Sequence, residues 1–529
     1  MKKPRYLILI FLAVSVLSWS QHPDWEGGYA DGCTTITAGK GAMADGSVIT
    51  SHTDDSHRTR SWMDVIPAQK HSRGDMVTMY KRVACDSFAM PTYAHEPIGE
   101  IPQVKETYQY LNTAYPSMNQ YQVGIGESTF GGREELQSDS GLIDCQRLCK
   151  LILERSKSAG EAIEIAGELL ETYGWNDVGE CLTIADKTEV WHLEIVGPGK
   201  GKKGAIWVAQ RVPDGHVAVN ANASTIKEID LSDTKNFRAS MNVHSVAREK
   251  GWWTEDEAFR FCYAYAPNSR TSLASRRREW RVFDLVAPSL GLDPHSENYP
   301  FSVKPDKALT LSDLRLIFSD YYEGTPFNMI KDLTVADEEG NNVISPLASP
   351  HLPYDMNLML RINGGWGWRG ERTIARWYTM YATIIQCRDW LPDEIGGVVW
   401  LAQDNVATSI YVPVYCSGSD LPESYKTPGR PNGYTSKSAW WAFNRLGTLT
   451  AQRWGEMRFD VNEVWDQWQG ELFENQFAFE EKALELHKQR KDEELSIYLT
   501  GYTLEWGEKV VDKAWEMGDM LWTKYDEKF

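Results

Sequence analysis

A mixed α+β layer fold is what the order of elements predicts for this chain. Short β-branched runs stand near the start, a long amphipathic helical stretch follows, and strands return after it. That order favours α+β over a repeating βαβ series. With 42% hydrophobic and 12% aromatic residues, the 529-residue chain has material for a large core, which excludes the disordered class.

The elements are justified in order. "CTTITAG" (33–39) and "GSVITSH" (46–52) flank a Gly-, Asp- and Ala-containing turn and read as a hairpin. "NQYQVGIGEST" (119–129) is a further strand. "LIDCQRLCKLILERSKSAGEAIEIAGELLETYG" (142–174) is helical, with a break near Ser158 to Gly160. Strands follow in "CLTIADKTEVWHLEIVG", "GAIWVAQRV" and "HVAVNAN". Between the first two, "GPGKGKKG" matches G-x-G-x-x-G at Gly199, Gly201 and Gly204; it joins strands and opens no helix, so it reads as a hairpin turn and not a dinucleotide site. From about Thr254 to Leu360 the chain is rich in Arg, Pro, Tyr and Asp, and "DEEGNN" and "SPLASPHLPYD" within it read as loops. "RTIARWYTMYATIIQCRD", "GGVVWLAQ" and "TSIYVPVYCS" form a second strand block, and residues 465–529 are helical by pattern. No internal repeat or low-complexity linker interrupts 33–529, which argues for one large domain.

Residues 1–20 carry Lys2, Lys3 and Arg5, an apolar run from Tyr6 to Leu17, and Ser18-Trp19-Ser20 as a small-x-small cleavage site. This is the pattern of a secretory signal peptide, because the run is shorter than the roughly 20 residues a membrane span needs. Export to the periplasm or the exterior is expected, with no membrane span. The 74 acidic and 55 basic residues give a net charge of −19, which argues against nucleic acid as a partner. Eight cysteines are too sparse for a disulfide scaffold. Cys145 and Cys149 share a helical face and read as core packing, since no second pair at zinc spacing follows.

Cys33 raises a chemical question by standing so soon after the leader. Taken alone it reads as a small buried hydrophobe on a strand. If residues 21–32 are a short propeptide, its removal makes Cys33 residue one, and the thiol then sits beside its own α-amine. The amine has a reference pKa of about 7.7–8.0 and the thiol about 8.5, so the amine can accept the thiol proton and the nucleophile carries its base. A bare Gly32 would ease the thiol's approach to the preceding carbonyl.

The stretch "CTTITAGKGAMADGSVITSHTDDS", with "NQYQVGIGEST", "QRVPDGHVAVNAN", "RREWRVFDLVAPSLGLDP", "LPDEIGGVVWLAQDNVATSIYVPVY" and "DLPESY", resembles the cysteine dipeptidases of the N-terminal nucleophile hydrolase superfamily, relatives of penicillin V acylase and bile salt hydrolase. The matches run in family order from Cys33 to about Trp454. The resemblance implies a four-layer αββα sandwich of two stacked antiparallel sheets, self-processing at Gly32-Cys33, and hydrolysis of a small amide through a thioester on Cys33. Dipeptides are the substrate it implies. Acylated amino acids or conjugated bile acids are the alternative enzyme reading, and a non-catalytic peptide- or glycan-binding protein is the alternative of another class.

Carried over by position, the resemblance makes Cys33 the nucleophile and Asp55 the carboxylate that orients its ammonium group, with Asp54 facing the other way on its strand. His52 stands where the acylases have an arginine, and is assigned with the substrate-contacting groups. Oxyanion donors fall to the amide of Asn222, with Asn220 on the same strand face, and to a backbone N–H near Ser128 or Thr129. Gln122 replaces a glycine common in the family. From "SRRREWR", Arg277 or Arg278 completes the site, the other arginines reading as a solvated face. His52, Asp54, Asp55 and His57 lack a third well-spaced ligand or an H-E-x-x-H helix, so neither metal nor cofactor is expected. The implied partner is a small peptide substrate, with a homo-oligomer allowed.

Overall fold

The computed structural model describes residues 32–85, 92–351 and 372–528. The segments read from sequence as a signal peptide (1–20) and, apart from Gly32, as a propeptide (21–32) lie outside the described residues. So does the end of the loop "SPLASPHLPYD" beyond His351.

Two antiparallel sheets organise the chain. In chain order their strands are β1 (Gly32–Ala38), β2 (Val48–Asp55), β3 (Asp64–Ile66), β4 (Tyr110–Asn112), β5 (Met118–Asn119), β6 (Gly124–Gly131), β7 (Gly179–Ala185), β8 (Val190–Val196), β9 (Ile206–Arg211), β10 (Val217–Asn220), β11 (Phe237–Ala239), β12 (Ser302–Val303), β13 (Thr379–Cys387), β14 (Val398–Gln403) and β15 (Val412–Tyr415). One sheet runs β12-β10-β1-β2-β13-β14-β15 and the other β11-β9-β8-β7-β6-β5-β4-β3. The first joins the amino-terminal hairpin to strands more than 300 residues later, Ala382 opposite Thr53. Both β1 and β2 are buried along their whole length, which is why they read as near-continuous β-branched runs.

The sheets meet where β6 packs on β1 and β2. Gly126 makes this close approach possible, because a Cβ there would run into the Ser51 carbonyl oxygen and the Thr183 hydroxyl. The expected strand at 119–129 is divided. Gln122 adopts φ 63°, the left-handed region where glycine is at ease, and so turns the chain between β5 and β6. Its side chain holds that turn by donating to the Arg388 carbonyl (3.2 Å) and accepting from the Arg388 N–H (2.8 Å).

The helical stretch divides as its sequence implies, into α1 (Cys145–Leu153) and α2 (Ala159–Tyr173). Asp144 caps the first through the Arg147 N–H, and Ser158 caps the second through the Glu161 N–H. The middle of the chain holds α3 (Leu273–Val286), whose Ser272 cap accepts from the Ser275 N–H. One expectation needs correction. The carboxy-terminal helices begin well before 465, as α4 (Ala439–Gln452), α5 (Trp454–Lys488) and α6 (Asp492–Lys524). They are tied to the first sheet's edge by the Trp465 indole on the Thr408 carbonyl (3.0 Å), Thr503 on the Pro413 carbonyl (2.9 Å) and the buried Arg388–Glu480 pair (2.7 Å). Among the described residues no helix is long and apolar enough to cross a membrane. Gly199, Gly201 and Gly204 all take positive φ in the turn between β8 and β9.

Candidate active site

The register of the first hairpin builds the site. Cys33 lies opposite Asp54, and Gly32 opposite Asp55. Directly opposed side chains share a sheet face and neighbours along a strand alternate. Cys33, Asp54 and His52 therefore project towards the second sheet, while Thr34, Thr53 and Asp55 project the other way.

On the inner face the Cys33 thiol is 3% exposed and donates to Glu127 Oε2 at 3.0 Å. The same carboxylate oxygen is 3.3 Å from His52 Nε2. His52 is 1% exposed, held edge-on between the rings of Tyr115 and Tyr381. The Thr129 hydroxyl lies between two carboxyl groups, 3.0 Å from Glu127 Oε1 and 2.8 Å from Glu180 Oε1. Burial works against the Glu127 charge, but hydrogen bonds from His52 and Glu180 outweigh it and hold its pKa low. Glu180, buried beside that charge, is pushed well up and keeps its proton. The Cys33 thiol is also pushed well up, by burial and then by the charges of Glu127, Asp54 and Asp55.

On the other face two guanidinium groups converge on the Gly32-Cys33 segment. Arg278, from α3, donates to the Cys33 carbonyl (2.7 Å), the Thr34 hydroxyl (2.9 Å), the Ala221 carbonyl (2.9 Å) and Asn222 Oδ1 (2.9 Å). Burial and then the nearby Arg372 charge lower its pKa to about 9, which leaves it cationic at neutral pH. Arg372 donates to Asn222 Oδ1 (2.7 Å) and forms an ion pair with Asp55, whose other oxygen accepts from the Thr379 hydroxyl (2.6 Å). Gly32 leaves room for this, since a Cβ there would meet the Arg372 guanidinium.

Asn222 joins the two faces. Its Oδ1 accepts from the Cys33 N–H (3.1 Å), its Nδ2 donates to the Thr129 carbonyl (2.7 Å), and its own N–H donates to the Ser128 hydroxyl (2.9 Å). The three strong donors at Oδ1 fix the amide orientation. Nδ2 is therefore engaged in this state, and serving an oxyanion would require it to leave Thr129. β10 ends at Asn220, and Asn222 takes φ 57° beyond it. The two asparagines thus do not share a strand face, which corrects that expectation. Asn220 turns away and donates to the Ala223 carbonyl (2.7 Å).

The structure brings Cys33, His52, Asp55, Ser128, Thr129, Asn222 and Arg278 to one place. Arg277 is not brought there: one helical step of about 100° turns it to the Pro294 carbonyl (2.8 Å) and the face of Phe327 (3.4 Å). The solvated reading of the arginine run is also overturned. Arg276, Arg277 and Arg278 are all buried, because carbonyl oxygens receive the first two and the active segment receives the third. Glu127 and Arg372 were missed from sequence. Glu127 had a signal, the single charged residue of its strand; Arg372 had none.

The ligand-capable atoms of Cys33, His52 and Glu127 lie within 4.8 Å of one another, as do those of Glu127, Cys145 and Glu180. This is not the cluster weighed from sequence, whose Asp54 and Asp55 project from opposite faces. Both sets share Glu127, which takes the thiol's hydrogen bond.

A thiol, a buried carboxylate and paired cations thus meet around the start of one strand. The chain belongs to the family "Peptidase family C69", whose profile matches residues 32–467, and it is a hydrolase of this cysteine dipeptidase family. It is similar to "Probable dipeptidase" of Latilactobacillus sakei, 23% identical over 82% of this chain and 85% of that protein. "Dipeptidase A" of Lactobacillus helveticus is 22% identical over 93% of this chain and 94% of its own length. "Probable dipeptidase B" of Lactococcus lactis subsp. lactis is 25% identical over 74% of this chain and 76% of that protein.

Proposed function

We propose that this chain is an exported dipeptidase that hydrolyses its substrate through a thioester on Cys33, after the Gly32–Cys33 bond has been cut by the chain itself. The sheets then form the inner layers of a four-layer αββα sandwich. The observation that carries the reading is the convergence of Asn222, Arg278, Arg372 and Asp55 on the Gly32-Cys33 segment. The relatives' names point to dipeptides.

Cutting that bond exposes the α-amine of Cys33, whose reference pKa lies just below that of a thiol. The amine takes the thiol proton as sulfur attacks the peptide carbonyl, and returns it to the leaving amine. Asp55, facing Gly32 across the hairpin, is the carboxylate available to hold the new ammonium group. Asn222 Oδ1 and Arg278 keep the Cys33 main chain in register during the reaction.

Intact-mass measurement with a screen of dipeptides against acylated amino acids tests the reading. A chain beginning at Cys33 that cleaves dipeptides is expected. Cys33→Ala should retain the upstream residues and lose hydrolysis. An active enzyme that still begins upstream of Cys33 would exclude the mechanism.

A further inference from the structure

We propose that Glu127 is the base for self-cleavage at Gly32-Cys33, a step separate from substrate hydrolysis. The inference rests on reading Cys33 as a nucleophile unmasked by cleavage. Hydrolysis can draw on the α-amine of Cys33, but that amine does not exist while Gly32 is attached. In the uncut chain its nitrogen is an amide that donates to Asn222. The first cut needs a different proton acceptor, and the structure shows the uncut chain with the thiol already on Glu127 Oε2 at 3.0 Å.

The surroundings of Glu127 fit that task. It is fully buried, and a carboxylate in such a place is costly unless partners hold it. Its partners are the thiol, the imidazole of His52 and the hydroxyl of Thr129, so both carboxylate oxygens are engaged. Glu180, on the other side of Thr129, keeps the proton of the pair and leaves Glu127 as the member able to accept one. His52 stands across the accepting oxygen from the thiol, where it can stabilise Glu127 in either state.

The step balances. The thiol proton moves to Glu127 Oε2, sulfur bonds to the Gly32 carbonyl carbon, and the bond from that carbon to the Cys33 nitrogen breaks. The departing nitrogen takes the proton from Glu127. Water then hydrolyses the thioester, releasing Gly32 as a carboxylate and restoring the thiol beside a free amine. The starting state pairs a protonated thiol with an ionised carboxylate, so the transfer is uphill.

The full-length chain, made by cell-free translation and followed by intact mass, supplies the test. The wild-type chain should lose everything before Cys33, and E127Q should do so at least about 100-fold more slowly, the contribution typical of a positioned base. E127D and E127N are equal in size and differ in charge, so they keep the comparison readable if E127Q does not fold. E127D should cleave at least about tenfold faster than E127N. Cleavage of folded E127Q within about threefold of wild type, or equal rates for the Asp and Asn chains, would overturn the role of Glu127 while leaving self-cleavage standing. A folded wild-type chain that never cleaves would overturn self-cleavage itself, and the role of Glu127 with it.

Discussion

Asp55 and Arg278 do different work within a few ångströms of the same peptide bond, and their variants should separate. Asp55→Asn keeps the shape and the Thr379 hydrogen bond but removes the charge that pairs with Arg372. Hydrolysis should fall by about 100-fold or more, measured as kcat/KM on a dipeptide; a wild-type rate would make the carboxylate structural. Arg278→Lys keeps the charge and loses the planar fork that reaches four acceptors at once. Losing those buried charge-assisted bonds should destabilise the chain by about 2–5 kcal/mol in urea unfolding. At this scale the sequence was legible wherever residue type and family position agreed, as at Cys33, Asp55, Asn222 and Arg278. It was not legible at Arg372, because nothing local marks an arginine that folds back onto Asp55 from 317 residues away.

Among the elements, β6 is the one on which most of the arrangement depends. It carries Glu127, Ser128 and Thr129 to the thiol, and it lies close enough to β2 only because residue 126 has no side chain. Gly126→Ala places a methyl group against main-chain oxygen, which cannot rotate away. We expect a loss of about 1–3 kcal/mol or more, read as a lower thermal midpoint, with self-cleavage impaired as the sheets part; an unchanged midpoint would mean that they do not meet here. The hairpin of β1 and β2 and the capped break between α1 and α2 were readable from local signals, β-branched runs and capping side chains. The helix α4 was not, since Gly447 inside it argues against a helix locally. That glycine is there for packing: a Cβ would press on the Thr408 hydroxyl and Asp404.

For the molecule as a whole, buried titratable groups set an asymmetric response to acid. Burial lowers His192 to about 3, and burial aided by nearby arginine charges does the same to His57 and His351, from an ordinary value near 6.5. The unfolded chain binds these three protons at a higher pH than the folded one, so each site costs stability as pH falls from 6.5 towards 3. Burial raises Glu194 and Asp404 to about 7, so protonating them favours the fold as pH falls from 7 towards about 4. The two effects oppose one another down to about 4, and below that the histidines are joined by Glu127, whose low pKa contributes stability that is lost as it takes a proton. Urea unfolding should therefore show modest change between about pH 7 and 5 and a steep loss below about 4, with a shallower loss in His192→Gln. Equal acid slopes for the two chains would remove His192 from this account.

The sequence by itself determined the mixed α+β class, the amino-terminal hairpin and the two capped helices. These depend on side-chain period, β-branching and capping, interactions that act within a few residues. Only the tertiary structure decided which face of β1 carries the thiol to Glu127, that three consecutive arginines are all buried, and that Arg372 returns to Asp55. Those outcomes depend on strand register and on close approach between segments hundreds of residues apart, where a shift of one residue reverses every face.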